Sequence, residues 1–110
     1  MSLDVTSSVV GARTVVALAG TVDLATVPSL HNALTTAILD NPQSTIAVDL
    51  GGVESLDDVA LGVLLGAAGR ARRGGGDIVV IAADEALRQR LTVTGFDRAV
   101  TVSASLSTPT

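Results

Sequence analysis

The chain has 110 residues, the size of one domain, and its hydrophobic fraction of 47% includes a single aromatic residue, Phe96. It contains no cysteine, which excludes a disulfide framework and thiol chemistry. A net charge of −4 and a pI near 4.6 argue against nucleic-acid binding, which needs a basic surface.

The first part of the chain predicts a hairpin followed by a helix. Two β-type runs, Leu3 to Val10 and Thr14 to Ala19, are separated by a short turn and are expected to pair antiparallel. The segment from Gly20 to Ala25 is expected to be a connection. Thr26 is predicted to cap an amphipathic helix that ends near Asp40.

The rest of the chain alternates between strand and helix patterns. Thr45 to Leu50 predicts a third strand, and Asp57 to Arg73 a second helix that ends before three glycines. Asp77 to Ala82 predicts a fourth strand, and Asp84 caps a third helix running to about Thr94. Ala99 to Val102 predicts a short last strand.

This order of elements indicates an α/β fold. A mixed, mostly parallel sheet of about five strands is expected, with the first two strands antiparallel and three main helices packed on it. Residues 1–102 are predicted to form one domain without an internal repeat. Residues 103–110 are rich in Ser, Thr and Pro and are expected to form a flexible tail.

The sequence does not predict a membrane protein. The first residues lack the charged and apolar regions of a signal peptide. The longest apolar run, Val59 to Ala68, is about half of the roughly 20 residues that a helix needs to cross a bilayer. We therefore expect a cytoplasmic protein without direct membrane insertion.

Two segments resemble the signature of one protein family. Residues 49–65, DLGGVESLDDVALGVLL, are similar without a gap to the motif of STAS domains of the anti-sigma factor antagonist type. Residues 20–30, GTVDLATVPSL, are similar to the segment that joins the second strand to the first helix in that family. The order and spacing of these motifs extend the resemblance over about Leu3 to Val102.

The resemblance also shows where this chain departs from the family. The phosphorylated hydroxyl of the family lies two residues after the motif aspartate, which is Asp57 here, and that position is occupied by Val59. Asp58 replaces the other motif hydroxyl, and Ala60 replaces the usual glycine. No phosphorylation is therefore expected at the usual site, and the usual C-terminal helix is expected to be short or absent.

Two interpretations of this altered motif are open. Asp58 supplies a fixed negative charge that partly imitates a phosphorylated state, or the apolar Val59 keeps the surface permanently ready to bind. The second interpretation is favoured because Asp58 is displaced by one residue from the acceptor position. Asp57 and Asp58 also suit a simpler role, as an N-cap and an early helix acid.

Further partner-binding candidates come from the two matched segments. Asp23 and Thr26 lie in the segment that the resemblance places beside the docking surface, although Asp23 also suits a plain turn. Gly62 and Gly66 lie on one helix face with Val59. Either a partner helix approaches closely there, or these glycines face the sheet. The sequence is consistent with both alternatives.

The remaining candidate residues do not indicate a catalytic site, a metal site or a cofactor site. His31, the single histidine, lies within the first helix without a second ligand nearby, so a surface position is expected. The cluster of Arg70, Arg72 and Arg73 suits a helix C-terminus, with a partner contact as the alternative. The absence of lysine argues against a phosphoacceptor receiver domain.

The resemblance implies a binding module rather than an enzyme. Such a protein binds an anti-sigma factor of the serine-kinase type and thereby releases a sigma factor, here as a monomer or a homodimer and without phosphorylation control. The alternative is a non-phosphorylatable STAS scaffold or accessory subunit of a stress-sensing or transporter complex.

Overall fold

The computed structural model describes residues 2–105, and these residues form five strands and three α-helices. The strands are β1 Leu3–Val10, β2 Arg13–Val22, β3 Thr45–Leu56, β4 Asp77–Ile81 and β5 Thr101–Ser103. The helices are α1 Val27–Asp40, α2 Asp58–Arg73 and α3 Glu85–Val93, and a 3-10 turn spans Phe96–Arg98.

The strands form one sheet in the order β1-β2-β3-β4-β5. β1 and β2 pair antiparallel, from Leu3 opposite Gly20 to Val10 opposite Arg13. Every later pairing is parallel. The predicted mixed sheet, with its antiparallel first pair and three helices, is confirmed.

Two strand ends differ from the prediction. β2 continues through Gly20 to Val22, and β3 continues beyond Leu50 to Leu56, where a connection and a loop were expected. The two extensions pair with each other, with register shifts along the way. A Cβ on Gly52 would lie 2.9 Å from the Cβ of Ala19, so the glycine is there because the neighbouring strand approaches closely.

The main core lies between one face of the sheet and the helices. Its buried side chains come from all three helices and from the central strands; they include Leu30, Leu34, Leu64, Leu91, Val16, Val48 and Val80. Each buried leucine of this kind contributes about 1.5–3 kcal/mol. A smaller cluster of Val15, Ala47 and Ile81 lies on the other face, because these residues alternate with core residues along their strands.

The last part of the described chain also departs slightly from the prediction. The 3-10 turn at Phe96–Arg98 delays β5, which covers Thr101–Ser103 instead of Ala99 to Val102. Ser103, the first residue of the predicted tail, therefore belongs to a strand, while residues 106–110 of that tail lie outside the described residues. Within residues 2–105, nothing after Ser103 is helical, and no helix is long and apolar enough to cross a membrane.

Candidate docking surface at the start of helix α2

The two segments that carry the family motifs meet at one edge of the sheet. β2 and β3 are parallel neighbours, so their carboxyl ends lie side by side. The N–H of Asp57 donates to the carbonyl of Val22 at 2.8 Å, which joins the loop after β2 to the start of α2. Asp23 and Thr26 are thus brought close to Asp57, Asp58 and Val59.

Asp57 is the N-cap of α2, as predicted. Its backbone is extended (φ −78°, ψ 152°), and its carboxylate accepts the N–H of Val59 at 3.4 Å. The N–H of Ala60 donates to the carbonyl of Asp57 at 3.0 Å. Two of the N–H groups that a helix start leaves unpaired therefore have partners, which fixes where α2 begins.

Asp58 forms an ion pair with a residue of another helix. Its Oδ1 lies 2.5 Å from Nη2 of Arg90 on α3, and Arg90 also donates through Nη1 to the carbonyl of Leu56. The Asp58 side chain is 76% exposed, so the ion pair itself contributes at most about 1 kcal/mol. The Arg90 guanidinium offsets part of the Asp58 charge, while most of the Asp58 side chain stays exposed to solvent.

The next two residues of α2 face different surroundings. Val59 is half-buried at the helix start and carries no hydroxyl. Ala60, at the family's glycine position, is fully buried in the main core. The added methyl group of Ala60 therefore joins the core and leaves the outer surface of α2 unchanged.

Asp23 and Thr26 are tied to each other in the loop between β2 and α1. The Thr26 hydroxyl accepts the N–H of Asp23 at 3.0 Å and donates to the carbonyl of Thr21 at 2.9 Å. In return, the Asp23 carboxylate accepts the N–H of Thr26 at 3.1 Å. These bonds hold the loop in one conformation beside the α2 start.

The prediction that the Thr26 side chain caps α1 is wrong. Thr26 occupies the N-cap position, but its backbone is helical (φ −101°, ψ −8°) rather than extended, and its side chain makes no cap bond. The hydroxyl turns back toward the loop instead. A proline at the first turn of α1 reduces the need for a cap, because it has no N–H to satisfy.

Gly62 and Gly66 lie on the outer face of α2, so the alternative that they face the sheet is wrong. Both are exposed, and in the described chain no atom apart from the adjoining residues and the backbone of α2 itself lies within 4 Å of the position that a Cβ on Gly62 would occupy. The nearest atom to a Cβ on Gly66 would be Nη1 of Arg70, at 3.6 Å. The outer face is therefore smooth, and the half-buried Val59 and the partly exposed Leu65 add apolar side chains to it.

Two residues of this region were missed by the sequence analysis. Leu24, between Asp23 and Thr26, exposes 74% of its side chain although it is apolar. The sequence did contain a signal for Leu24: it is an apolar residue in a predicted loop, where it fits neither a helical nor a strand pattern of core residues. Arg90 had no such signal, because its partner Asp58 is 32 residues away.

We call the set of Leu24, Asp58, Val59, Gly62 and Gly66 the docking surface. It combines exposed apolar atoms, exposed helix backbone and an acidic residue that is already paired. Within the described residues, no group of three His, Cys, Asp or Glu residues is placed to hold a metal ion, and His31 is exposed on α1. The arrangement suits binding to another macromolecule.

Comparison with known protein families identifies one match. A family model described as "Mlab, STAS domain" matches residues 5–104, which is nearly the whole chain. A search of curated proteins finds no match.

Comparison with solved structures finds the same fold repeatedly. An anti-sigma factor antagonist from Mycobacterium paratuberculosis is 27% identical, with a TM-score of 0.84 over 96% of this chain and 88% of that one. The anti-sigma factor antagonist SpoIIAA in its unphosphorylated form is 17% identical, with a TM-score of 0.73 over 93% and 90% of the two chains. The phosphorylated form of SpoIIAA, a Bacillus cell fate determinant, is 17% identical and has a TM-score of 0.66 over 94% and 93%.

Proposed function

The chain belongs to the STAS domain family, and we propose that it is an anti-sigma factor antagonist that binds through the docking surface. The observation that carries this proposal is the outer face of α2, where exposed Gly62 and Gly66 follow the half-buried Val59. Small residues leave the helix backbone open to close approach by a partner. The likeness to the antagonist from Mycobacterium paratuberculosis supports the same role.

The partner that we propose is an anti-sigma factor of the serine-kinase type. Binding it would release the sigma factor that it holds. The protein carries a net charge of −4, and Asp23 and Asp57 lie beside the docking surface, so a partner with a basic rim is favoured. The apolar contribution comes from the exposed Leu24 and the half-buried Val59.

We propose further that phosphorylation does not control this binding at the usual position. A phosphate at a helix start adds about −1.5 to −2 charges, which separates surfaces that otherwise pack closely. Val59 has no oxygen to accept one. Two interpretations of Asp58 were open: a surface that is always able to bind, or a negative charge that imitates phosphorylation. The ion pair between Asp58 and Arg90 supports the first, because Arg90 offsets the charge of Asp58.

The experiment is a capture of the anti-sigma factor from lysate of the source cell, with and without ATP, using the wild-type protein and the double variant Asp58→Ser/Val59→Ser. We expect the wild-type protein to hold a serine-kinase anti-sigma factor equally under both conditions. The double variant should lose the partner when ATP is present and gain about 80 Da, the mass of one phosphate.

A matched control places the same chemical change elsewhere. Val93, at the end of α3, is 85% exposed, so Val93→Ser adds an exposed hydroxyl away from the docking surface. It should leave capture unchanged. A gain of about 80 Da on the wild-type protein would contradict the absence of control. Co-purification with a membrane ATPase, or a very large particle without any anti-sigma factor, would instead favour the scaffold alternative.

A further inference from the structure

A groove lies near the C-terminal end of α2 and adjoins the docking surface, since its lining residue Arg70 contacts Gly66. It is formed by the C-terminal ends of α1 and α2 and by the loops that follow them, and its volume is about 340 Å³. Its walls are mostly apolar and include Ile38, Leu39, Ile46 and Ala71. This volume falls within the range of roughly 300–1,000 Å³ that is usual for small-molecule sites.

One charged side chain lines this groove among the described residues, and it has an unused hydrogen-bond donor. Arg70 is half-buried, and its Nη2 is buried without a hydrogen-bond partner in the described part of the chain. Its neighbour Arg72, by contrast, bonds to Asp77 and to the carbonyl of Ala99. A buried guanidinium N–H without an acceptor is costly, so native proteins rarely leave one unpaired.

A second unpaired polar atom belongs to a residue that lines the same groove from the other helix. Oγ1 of Thr35, on α1, is also buried and has no hydrogen-bond partner within residues 2–105. A threonine hydroxyl both donates and accepts hydrogen bonds. These two atoms are the buried side-chain polar atoms left unpaired in the described chain, and residues from both sides of one groove supply them.

We propose that this groove binds a small amphipathic carboxylate. The carboxylate would accept hydrogen bonds from Nη2 of Arg70 and from the hydroxyl of Thr35, after rotamer changes of both side chains that bring these atoms to the groove surface. The apolar chain would lie against Ile38, Leu39 and Ile46. A carboxylate is favoured over a phosphate because a single arginine matches one negative charge.

Three arginines offset the negative dipole ends of α1 and α2 and the charge of Asp40 in this region, although the whole protein is acidic. The last turn of α2 carries Arg70, Arg72 and Arg73, and Asp77 pairs with Arg72 only. The apolar walls lower the local dielectric constant, which strengthens the attraction between an arginine and a carboxylate. The inference rests on these residues and is independent of the proposed function at the docking surface.

The test uses octanoate as the probe, followed by amide NMR of the full chain. Saturable shifts are expected for residues 35–46 and 70–76, while residues 57–62 stay unshifted. Octan-1-ol, which has the same chain without the charge, should bind at least about tenfold more weakly, in line with the loss of a charge-assisted hydrogen bond.

Three variants test whether octanoate binds through the groove residues and not elsewhere on the surface. Arg70→Met keeps an apolar side chain and should weaken octanoate at least about tenfold. Thr35→Val removes only the hydroxyl and should weaken it by a smaller factor of about five. Arg73→Met is the matched control, because Arg73 is exposed outside the groove, and it should leave the affinity unchanged.

Several results would overturn the proposal. Equal binding of octanoate and octan-1-ol, or an unchanged affinity of the Arg70→Met variant for octanoate, would show that the attraction between Arg70 and the carboxylate does not contribute to binding. Shifts at another surface, or no saturable shift at all, would show that the groove does not take this class of ligand.

Discussion

The two ends of helix α2 differ in how completely their polar groups are paired. At the N-terminal end, the Asp57 carboxylate accepts the N–H of Val59, and Asp58 pairs with Arg90. At the C-terminal end, the backbone is closed by bonds from Gly74, yet Nη2 of Arg70 has no partner in the described chain. At the first end the N–H groups of Val59 and Ala60 and the Asp58 carboxylate thus have partners, whereas at the second end a buried donor has none among the described residues.

The largest effect on stability is expected from replacing Arg90, which contacts residues at the N-terminal end of α2. Arg90→Met deletes both the ion pair to Asp58 and the bond to the Leu56 carbonyl, and we expect a loss of about 2 kcal/mol in the free energy of unfolding. Urea unfolding measures it. Arg98→Met is the matched control at an exposed arginine and should cost less than about 0.5 kcal/mol. Equal losses for the two variants would show that Arg90 does not hold the start of α2.

A smaller effect is expected from the cap itself. Asp57→Ala removes the acceptor for the N–H of Val59 and should lower the free energy of unfolding by about 1 kcal/mol. Asp57→Asn keeps an oxygen that can cap and should stay within about 0.5 kcal/mol of the wild-type protein. If thermal unfolding shows the same loss for both variants, the charge of Asp57 rather than its cap bond stabilises this end.

The smallest effect on stability is expected from a substitution at the C-terminal end of α2. Arg70→Met removes a buried donor that has no partner in the described chain and keeps much of the apolar side-chain volume, so the free energy of unfolding should change by less than about 0.5 kcal/mol or increase. The same change of residue type thus gives opposite results at the two ends of α2. A loss above about 1 kcal/mol for Arg70→Met would mean that Arg70 is a structural residue.

The sequence predicted the fold well where local signals were strong. The hairpin was predicted because two apolar runs flank a short turn, and α2 was predicted because an acidic cap precedes a long apolar helix pattern. The extension of β3 was missed because Gly51 and Gly52 are typical of a break. The neighbouring strand explains Gly52, which must let β2 approach.

The site was predictable in position but not in detail. The matched segments placed Asp57, Asp58 and Val59 at a helix start, as observed. The face of Gly62 and Gly66 was left open, because a glycine has no side chain whose polarity would indicate its orientation. The pairing of Arg90 with Asp58 was missed because it is a tertiary contact between α2 and α3.

The central claim is that the start of α2 binds the anti-sigma factor while the acceptor position is uncharged. Calorimetric titration of the anti-sigma factor with the wild-type protein and with Val59→Asp tests this most directly. We predict that Val59→Asp binds at least about tenfold more weakly, because the charge would be buried at the interface, and that Val93→Asp binds like the wild-type protein. An unchanged affinity for Val59→Asp would contradict the claim.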